Sequence, residues 1–487
     1  MRRQGASRKR LVALLVGGAA VVAAVAISTV LTDKPSNPLP SGTTLRPVAG
    51  GTNYFARISP QSAWMDQHIL LGAWLEQPTS ATDAKYDVAM GNNIYWNLAG
   101  KPADTRACPA AKGCRVDYNT IRTAGMHAVA PDITAKTGSE TVAYAGSDEA
   151  DLAYGPGANG WNPESQNSDT SACVPSGSDC GYTVAKHYFA TKPPVYGNVE
   201  QPLPNLPVYQ NNGKAALFWE TPTQAAKFFS YSDILSADTY WMVDPALASA
   251  TQGACALVPN SAACNYGKGS GLTTAQRALP ANYAWDITRI AQIEAKSGQS
   301  KPIIADIETG CLSAGQCTTP AATKAAAWQA VIAGARGIMW FQQSFAGSCA
   351  NSTTFYDGSN PSSKLYDCQQ TPGVTLNGVV QNITAINHEI ASLNSVLLAP
   401  FAENYVSAGN ADVSVMAKYS KDSFYIFAAS GKPATPPPSN QSVTFKVADN
   451  YTGKVTVVGE GRTLEADNGV FTDRFLNEDS VHIYRIG

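Results

Sequence analysis

Eight short apolar runs, each followed by a polar loop and several by an amphipathic stretch, constrain most what this chain can fold into. They are Ile69–Trp74, Asn93–Trp96, His127–Ala130, Thr141–Ala145, Pro207–Tyr209, Ile234–Asp238, Pro302–Asp306 and Gly337–Phe341. Short continuous apolar runs are what strands buried on both faces look like. Between them lie helical patterns. Ala81–Met90 follows Ser80, with Asp83 at the capping-box position. Ala321–Ala335 follows Thr319-Pro320, a cap and a proline at the first helical position. Tyr283–Ala295 and Val379–Leu393 repeat apolar residues at helical spacing. Alternating strands and helices predict an α/β chain with a parallel sheet. Eight units over about 275 residues predict a (β/α)8 barrel, assigned to residues 53–398. The third helix and fifth strand are the least marked. A doubly wound open sheet is the alternative, but no GxGxxG follows the first run.

The pattern changes near Ala399. Val413–Ala417, Ser423–Ala428, Ser442–Val447, Lys454–Val458 and Ser480–Ile486 are short β-prone runs separated by turn formers. Residues 399–487 are therefore expected to form a small β-sandwich. At the other end, five basic residues precede Leu11–Leu31, a run of 21 uncharged, mostly apolar residues. That layout predicts a signal peptide or signal anchor over 1–32, with a small-x-small cleavage candidate at Ala24-Val25-Ala26. Uncleaved, it would be a single amino-terminal membrane anchor. Either way the rest is exported, secreted or held at the cell surface. Residues 33–52 read as a linker.

Ten cysteines in an exported chain predict disulfides. They fall as Cys108/Cys114, Cys173/Cys180, Cys255/Cys264, Cys311/Cys317 and Cys349/Cys368, and nearest-neighbour pairing is expected. Basic and acidic residues are nearly balanced at 35 and 37, and without the first ten residues the balance is 30 against 37. No basic surface remains for a phosphate backbone, so no nucleic-acid partner is expected. No CxxC pair or HExxH occurs and the five histidines are scattered, so no metal is expected. No organic cofactor is expected either. No GxSxG elbow is present.

Barrel enzymes work at the carboxyl ends of their strands. Run four leads into Asp148-Glu149-Ala150-Asp151, and run seven continues through Asp306 to Glu308. Strand alternation puts Asp306 and Glu308 on one face, with Glu308 nearer the mouth. Glu149 and Glu308 would then face each other across one cavity. Two facing carboxylates are the working parts of a glycosidase: one protonates the leaving oxygen while the other attacks the sugar or activates water. Asp148, Asp151 and Asp306 are the rival carboxylates.

These segments resemble the clan A glycoside hydrolases over about residues 69–400. That resemblance implies an acid/base at Glu149 after strand four and a nucleophile at Glu308 on strand seven, acting with retention. The clan usually has Asn before its acid/base. Here Asp148 stands there, and Asp148-Glu-Ala-Asp151 is similar to the Asp-Glu-Pro-Asp of some bacterial members. Gly334-Ala-Arg-Gly337-Ile-Met-Trp340-Phe341 is similar to the clan's eighth strand, whose aromatic closes the sugar pocket. The resemblance also implies that Tyr240, after strand six, holds the nucleophile.

Sugar rings stack on aromatics and their hydroxyls read amides and carboxylates. Strand-end candidates for binding the carbohydrate are Trp74 and Glu76, then Tyr95, Trp96 and Asn97, then Asp238, Tyr240 and Trp241, then Trp340, Gln342 and Gln343, with Asp148 and Asp306 beside the catalytic pair. Trp219, Trp285 and Trp328 lie in helical stretches and read as core. His127, placed at the third strand's end, is a candidate base or a packed histidine. Two other readings remain: a barrel that binds glycan without turnover, kept open by the missing Asn, and a structural envelope protein.

Overall fold

The computed structural model describes residues 38–76, 78, 80–96, 118–130, 138–154, 182, 185–186, 205–244, 247, 272–313, 316–343, 355, 369–371, 374–409 and 412–487. The expected signal or anchor lies outside them. Four of the five expected disulfides lie outside them too: Cys108 with Cys114, Cys173 with Cys180, Cys255 with Cys264, and Cys349 with Cys368. Among the described residues no helix is long and apolar enough to cross a membrane.

All eight apolar runs are strands: β1 Leu70–Trp74, β2 Ile94–Trp96, β3 His127–Ala130, β4 Thr141–Asp148, β5 Val208–Gly213, β6 Ile234–Asp238, β7 Ile304–Glu308 and β8 Gly337–Phe341. Each pairs in parallel with its neighbour in chain order, and β8 returns to β1. The last gap, between β6 and β7, is bridged by Leu235 and Ile303, with Leu235 N donating to Pro302 O at 3.0 Å. The sheet is therefore closed, as the eight-unit pattern predicts, and the open-sheet alternative fails. Closure leaves no edge strand to protect.

Alternation then sorts the strand residues. Leu70, Trp74, Ile94, Trp96, Val129, Tyr209, Ile234, Ile304, Met339 and Phe341 pack together inside the barrel. Leu71, Ala73, Leu235, Ala237, Ile303, Ala305, Ile307, Ile338 and Trp340 pack outward against helices. Among those helices are α1 Ala81–Ala89, α2 Ala281–Lys296, α3 Pro320–Ala333 and α4 Leu376–Ser392. Ser80 caps α1 in a reciprocal box with Asp83, and Thr319 caps α3 ahead of Pro320, so the local start signals work as read. Trp328 of α3 is fully buried, as expected of core.

The amino end of the barrel is plugged by a helix, Tyr54–Ile58, and a 3-10 helix, Pro60–Gln67. Phe55 and Met65 join the inner core from there. Ser62 Oγ donates to Val142 O at 2.7 Å, and Asp66 accepts from the amides of Phe55 and Ala56. His127 belongs to this end. It begins β3 instead of ending it, and its ring lies 3.9 Å from that of Trp64. Burial lowers its pKa to about 4, so it is a neutral packing residue and no part of the mouth.

Beyond Phe401 two antiparallel sheets share one core. The larger runs in the order Thr44–Arg46, Phe401–Glu403, Val413–Ser420, Ser423–Ser430, Val481–Ile486, Gly453–Val457 and Arg462–Ala466. The smaller holds Val406–Ala408, Gln441–Val447 and Val470–Phe475. Gln441–Val447 alternates buried and exposed along its length, the mark of a sheet with one wet face. Thr44–Arg46, in the stretch read as linker, is an edge strand of this sandwich, antiparallel to Phe401–Glu403. Residues 35–487 form one compact unit. Trp328 stacks on Phe427 at 5.7 Å, Gln329 Nε2 donates to Ser430 O at 2.8 Å, and Ala434 N donates to Asn282 Oδ1 at 2.8 Å.

Candidate active site

Strand ends converge at the carboxyl mouth of the barrel, and the chain makes three unusual exits there. Leu75 after β1, Glu149 after β4 and Tyr240 after β6 all take left-handed backbone conformations, with φ of 51°, 45° and 48°. Non-glycine residues hold such geometry at a cost of about 1–3 kcal/mol, and only where the surroundings impose it.

The surroundings of Glu149 are visible. A register shift between Ala145 and Asp148 interrupts the pairing of β4 with β5, which resumes with Asp148 opposite Asn211. Bulges of this kind re-aim the side chains that follow. Glu149 N then donates to Asn211 O, while Asp151 accepts from the amides of Gly213 and Ala216, both at 2.8 Å. Asp151 is thus occupied in stitching β4 to β5. Gly213 leaves the space that Glu149 occupies: a Cβ there would lie 2.9 Å from Glu149 Oε1. Asp148 is exposed and accepts from Asn211 Nδ2 at 3.1 Å, so an asparagine does sit at this corner, supplied by β5. Ser236 Oγ donates to Asn211 Oδ1 at 2.6 Å and lies 2.8 Å from Tyr209 Oη, extending a polar network into the barrel.

The half-buried Glu149 carboxyl lies within hydrogen-bonding reach of Asp238 at the end of β6. Asp238 also accepts from Tyr240 Oη at 3.0 Å. Asp306 of β7 lies close enough to feel Asp238, Asp148 and Glu149. Glu149, Asp238 and Asp306 are all pushed well above the usual carboxylate range, by burial first and by neighbouring acids second: Asp238 for Glu149, Asp306 for Asp238 and Glu308 for Asp306. The described part of this cup favours the protonated form of its carboxyls more than an exposed site does.

Glu308 has a different environment. It is 1% exposed. Its Oε1 accepts from Met242 N at 2.8 Å and its Oε2 from Tyr283 Oη. Burial lifts its pKa to about 7, and the Tyr283 hydroxyl opposes the rise. The residue that holds Glu308 is therefore Tyr283 of α2. Tyr240, expected in that role, turns instead toward Asp238 and packs on Phe341 with ring centroids 4.6 Å apart. Asp286, one turn beyond Tyr283, accepts from Thr239 Oγ1 at 2.6 Å and Trp241 Nε1 at 2.9 Å. Helix α2 thus grips the loop after β6 on both sides of Tyr240. Trp285 stacks on Phe218 and, with Trp241, belongs to the packing outside the strands.

The expected aromatic platform is only partly brought together. Trp74 and Trp96 face inward around Tyr209, at 6.4 and 4.9 Å. Tyr95 faces outward, packs with Tyr118 and Ile121, and donates to Asp87 at 2.6 Å. Trp340 also faces outward and donates to Asn387 at 3.0 Å; its neighbour Phe341 takes the inward place. Glu76 and Gln342 bond each other at 2.8 Å, and Phe355 N donates to Glu76, so they form a buried corner beside β1 with Asp87 and Asp83 as its charged neighbours. Gln343 is half-buried; Asn97 and the side chain of Trp219 lie outside the described residues. Of the expected cysteine pairs, Cys311 and Cys317 are the one within the described residues, and they are disulfide-bonded, closing a hairpin three residues beyond Glu308. The pairings expected for Cys108, Cys114, Cys173, Cys180, Cys255, Cys264, Cys349 and Cys368 have no counterpart among the described residues, since all eight fall outside them. Among the described residues no cluster of His, Cys, Asp and Glu has the geometry to hold a metal ion.

Tyr283, Asn211, Phe341 and Asp286 were not singled out in the sequence. Phe341 had a signal, since alternation counted from Met339 selects it. Tyr283 had none, being one more apolar residue on an amphipathic helix.

No family model matches the chain, and no curated protein matches it. Solved structures align with it over most of its length. An α-amylase from Geobacillus thermoleovorans complexed with acarbose is 10% identical, covering 87% of this chain and 98% of its own, with a TM-score of 0.41. A glucosidase from Croceicoccus marinus is 10% identical, covering 86% and 96%, at 0.40. A GH30 endoxylanase from Clostridium papyrosolvens is 11% identical, covering 86% and 96%, at 0.36. Likeness of this degree carries nothing about chemistry. By its own strand pairing the chain is a closed (β/α)8 barrel with a carboxyl-terminal β-sandwich, and its acidic groups gather at the carboxyl mouth.

Proposed function

We propose that the barrel mouth is the active site of an exported glycoside hydrolase acting on an oligo- or polysaccharide, with Glu149 as acid/base and Glu308 as nucleophile. One observation carries this reading: two glutamates at the ends of β4 and β7 sit in environments that separate their roles. Glu149 is half-buried, and its burial and the neighbouring acids favour its protonated form. Glu308 has each oxygen held by a donor, and these two bonds favour its anion against the burial that lifts it to about 7. Such divergent pairs are how one site holds both an acid and a base.

Glu149 gives its proton to the glycosidic oxygen as that C–O bond breaks. A Glu308 oxygen forms the new bond to the anomeric carbon. Glu149, now a carboxylate, takes a proton from water as the water attacks that carbon and Glu308 leaves. Met242 N–H and Tyr283 Oη–H receive the returning negative charge. Half-buried Tyr240, packed on Phe341, offers ring surface beside Asp238. Retention requires the two carboxyl groups about 5–5.5 Å apart; a separation of about 6.5–9.5 Å makes an inverting enzyme.

The burial of Glu308 favours a second reading, a barrel that binds glycan without turning it over. The test incubates the purified protein with polysaccharides and aryl glycosides beside Glu149→Gln, Glu308→Gln and Asp306→Asn, reading new reducing ends. Release by wild type alone supports the pair. Equal release by Glu308→Gln moves the nucleophile to Asp306. Glycan binding with no release by any form leaves the binding protein, and neither binding nor release leaves a structural scaffold.

A further inference from the structure

The proposed reaction has a role for Glu149 and none for Asp238, yet Asp238 is the acid that Glu149 touches. It ends β6, is 6% exposed, and its Oδ2 accepts from Tyr240 Oη. Its Oδ1 is buried, and no N–H or neutral hydroxyl of the described residues reaches it. Besides Tyr240, the Glu149 carboxyl is the side chain bonded to Asp238, and two carboxyls can bond each other only when one carries a proton. Two further features hold the pair in place. Gly213 leaves no side chain between β5 and the Glu149 carboxyl. The left-handed turn at Tyr240, pinned by Asp286 through Thr239 and Trp241, brings the tyrosine hydroxyl back onto its own strand end.

We infer that Asp238 is a positioning residue: it shares one proton with Glu149, and Tyr240 donates to Asp238 so that the proton rests on Glu149. This deepens the role proposed for Glu149 and rests on that reading only for its use in catalysis. The groups facing the pair are Asp148 and Asp151 from the turn after β4, Tyr209 from β5, Tyr240 from the loop after β6 and Asp306 from β7. The carboxyls among them, when ionised, oppose loss of the shared proton, whereas the Tyr240 hydroxyl favours it by donating to Asp238. Two acids coupled this closely lose their protons in steps that belong to the pair.

The test needs no substrate. Infrared difference spectra of the whole protein, taken across pH, follow the carboxylic C=O band that Glu149→Gln removes. Asp238→Asn takes away the neighbouring charge, so the midpoint of that band should fall by about one pH unit or more. Tyr240→Phe takes away the donor that stabilises ionised Asp238, so the midpoint should rise. A merely structural role would not move the two variants in opposite directions. A midpoint unchanged in Asp238→Asn, or a spectrum of Glu149→Gln identical to wild type, overturns the inference. If Asp238→Asn does not fold, Asp238→Glu keeps acceptor and charge and should retain a raised midpoint, while Tyr240→Phe still has to raise it; a fall in either overturns the inference. Absence of glycan release with these shifts intact would remove the glycosidase reading and leave the shared proton standing.

Discussion

At the scale of single residues the mouth depends on space as much as on charge. A methyl group at Gly213 would meet Leu152 Cβ at 2.8 Å and Glu149 Oε1 at 2.9 Å. Gly213→Ala is expected to cost about 1–3 kcal/mol and to displace the Glu149 carboxyl. Thermal unfolding would read the first effect, and loss of the protonated Glu149 infrared band the second. Glu308 makes a prediction of opposite sense. Its folded pKa, about 7, lies above its unfolded value, so the folded state binds more protons between about pH 4.5 and 7. Ionised Glu308 therefore weakens the fold as pH rises through that window, by up to about 3 kcal/mol. The stability of Glu308→Gln relative to wild type should improve by that order from pH 5 to pH 8, as measured by denaturant unfolding. A gap independent of pH would show that burial costs Glu308 nothing.

Among elements, strands were easier to read than the direction of their side chains. Parallel strands buried on both faces are unbroken apolar runs, so all eight stood out, and the helix caps at Ser80 and Thr319 stood out by their chemistry. The same property hid the facing. Tyr95-Trp96 and Trp340-Phe341 are adjacent aromatics, and hydrophobicity does not say which of two neighbours turns inward; register does. Tyr283 was illegible for another reason: its partner Glu308 is 25 residues away in sequence and meets it only when α2 packs on β7. Helix α2 then fixes the mouth through Tyr283 and Asp286 together. Asp286→Ala removes two buried hydrogen bonds from the loop after β6 and is expected to cost about 2–3 kcal/mol, read by thermal unfolding. The Cys311–Cys317 bridge, six residues apart, should contribute about 2 kcal/mol by closing its loop, so a paired serine variant should lower the unfolding free energy by that much.

On the scale of the whole molecule, buried acids set the response to pH. Glu149, Asp238, Asp306, Asp286 and Glu76 are raised well above their ordinary values, and Asp87, Asp151 and Glu308 to about 7. Each favours the fold at low pH and loses that contribution as pH rises through its folded value. His127, lowered to about 4, works the other way between there and its ordinary 6.5, and Lys418, pushed well below its ordinary value by burial, works the same way as His127, but the eight acids outnumber these two. Thermal stability should therefore be greater near pH 5 than near pH 8; an optimum at pH 8 would mean these carboxyls are wetter than they look. The β-sandwich enters the same account from a distance. Its Ala434 amide donates to Asn282, the residue beside Tyr283 at the start of α2, and Trp328 of α3 stacks on Phe427. A chain cut at Leu398 would expose that aromatic face and free the end of the helix that holds Glu308. The carboxyl-terminal sheets are thus no detachable cargo. Recombination that traded them for another module would have to reproduce one backbone amide at one helix start, so barrel and sandwich are expected to be inherited, and engineered, as a single piece.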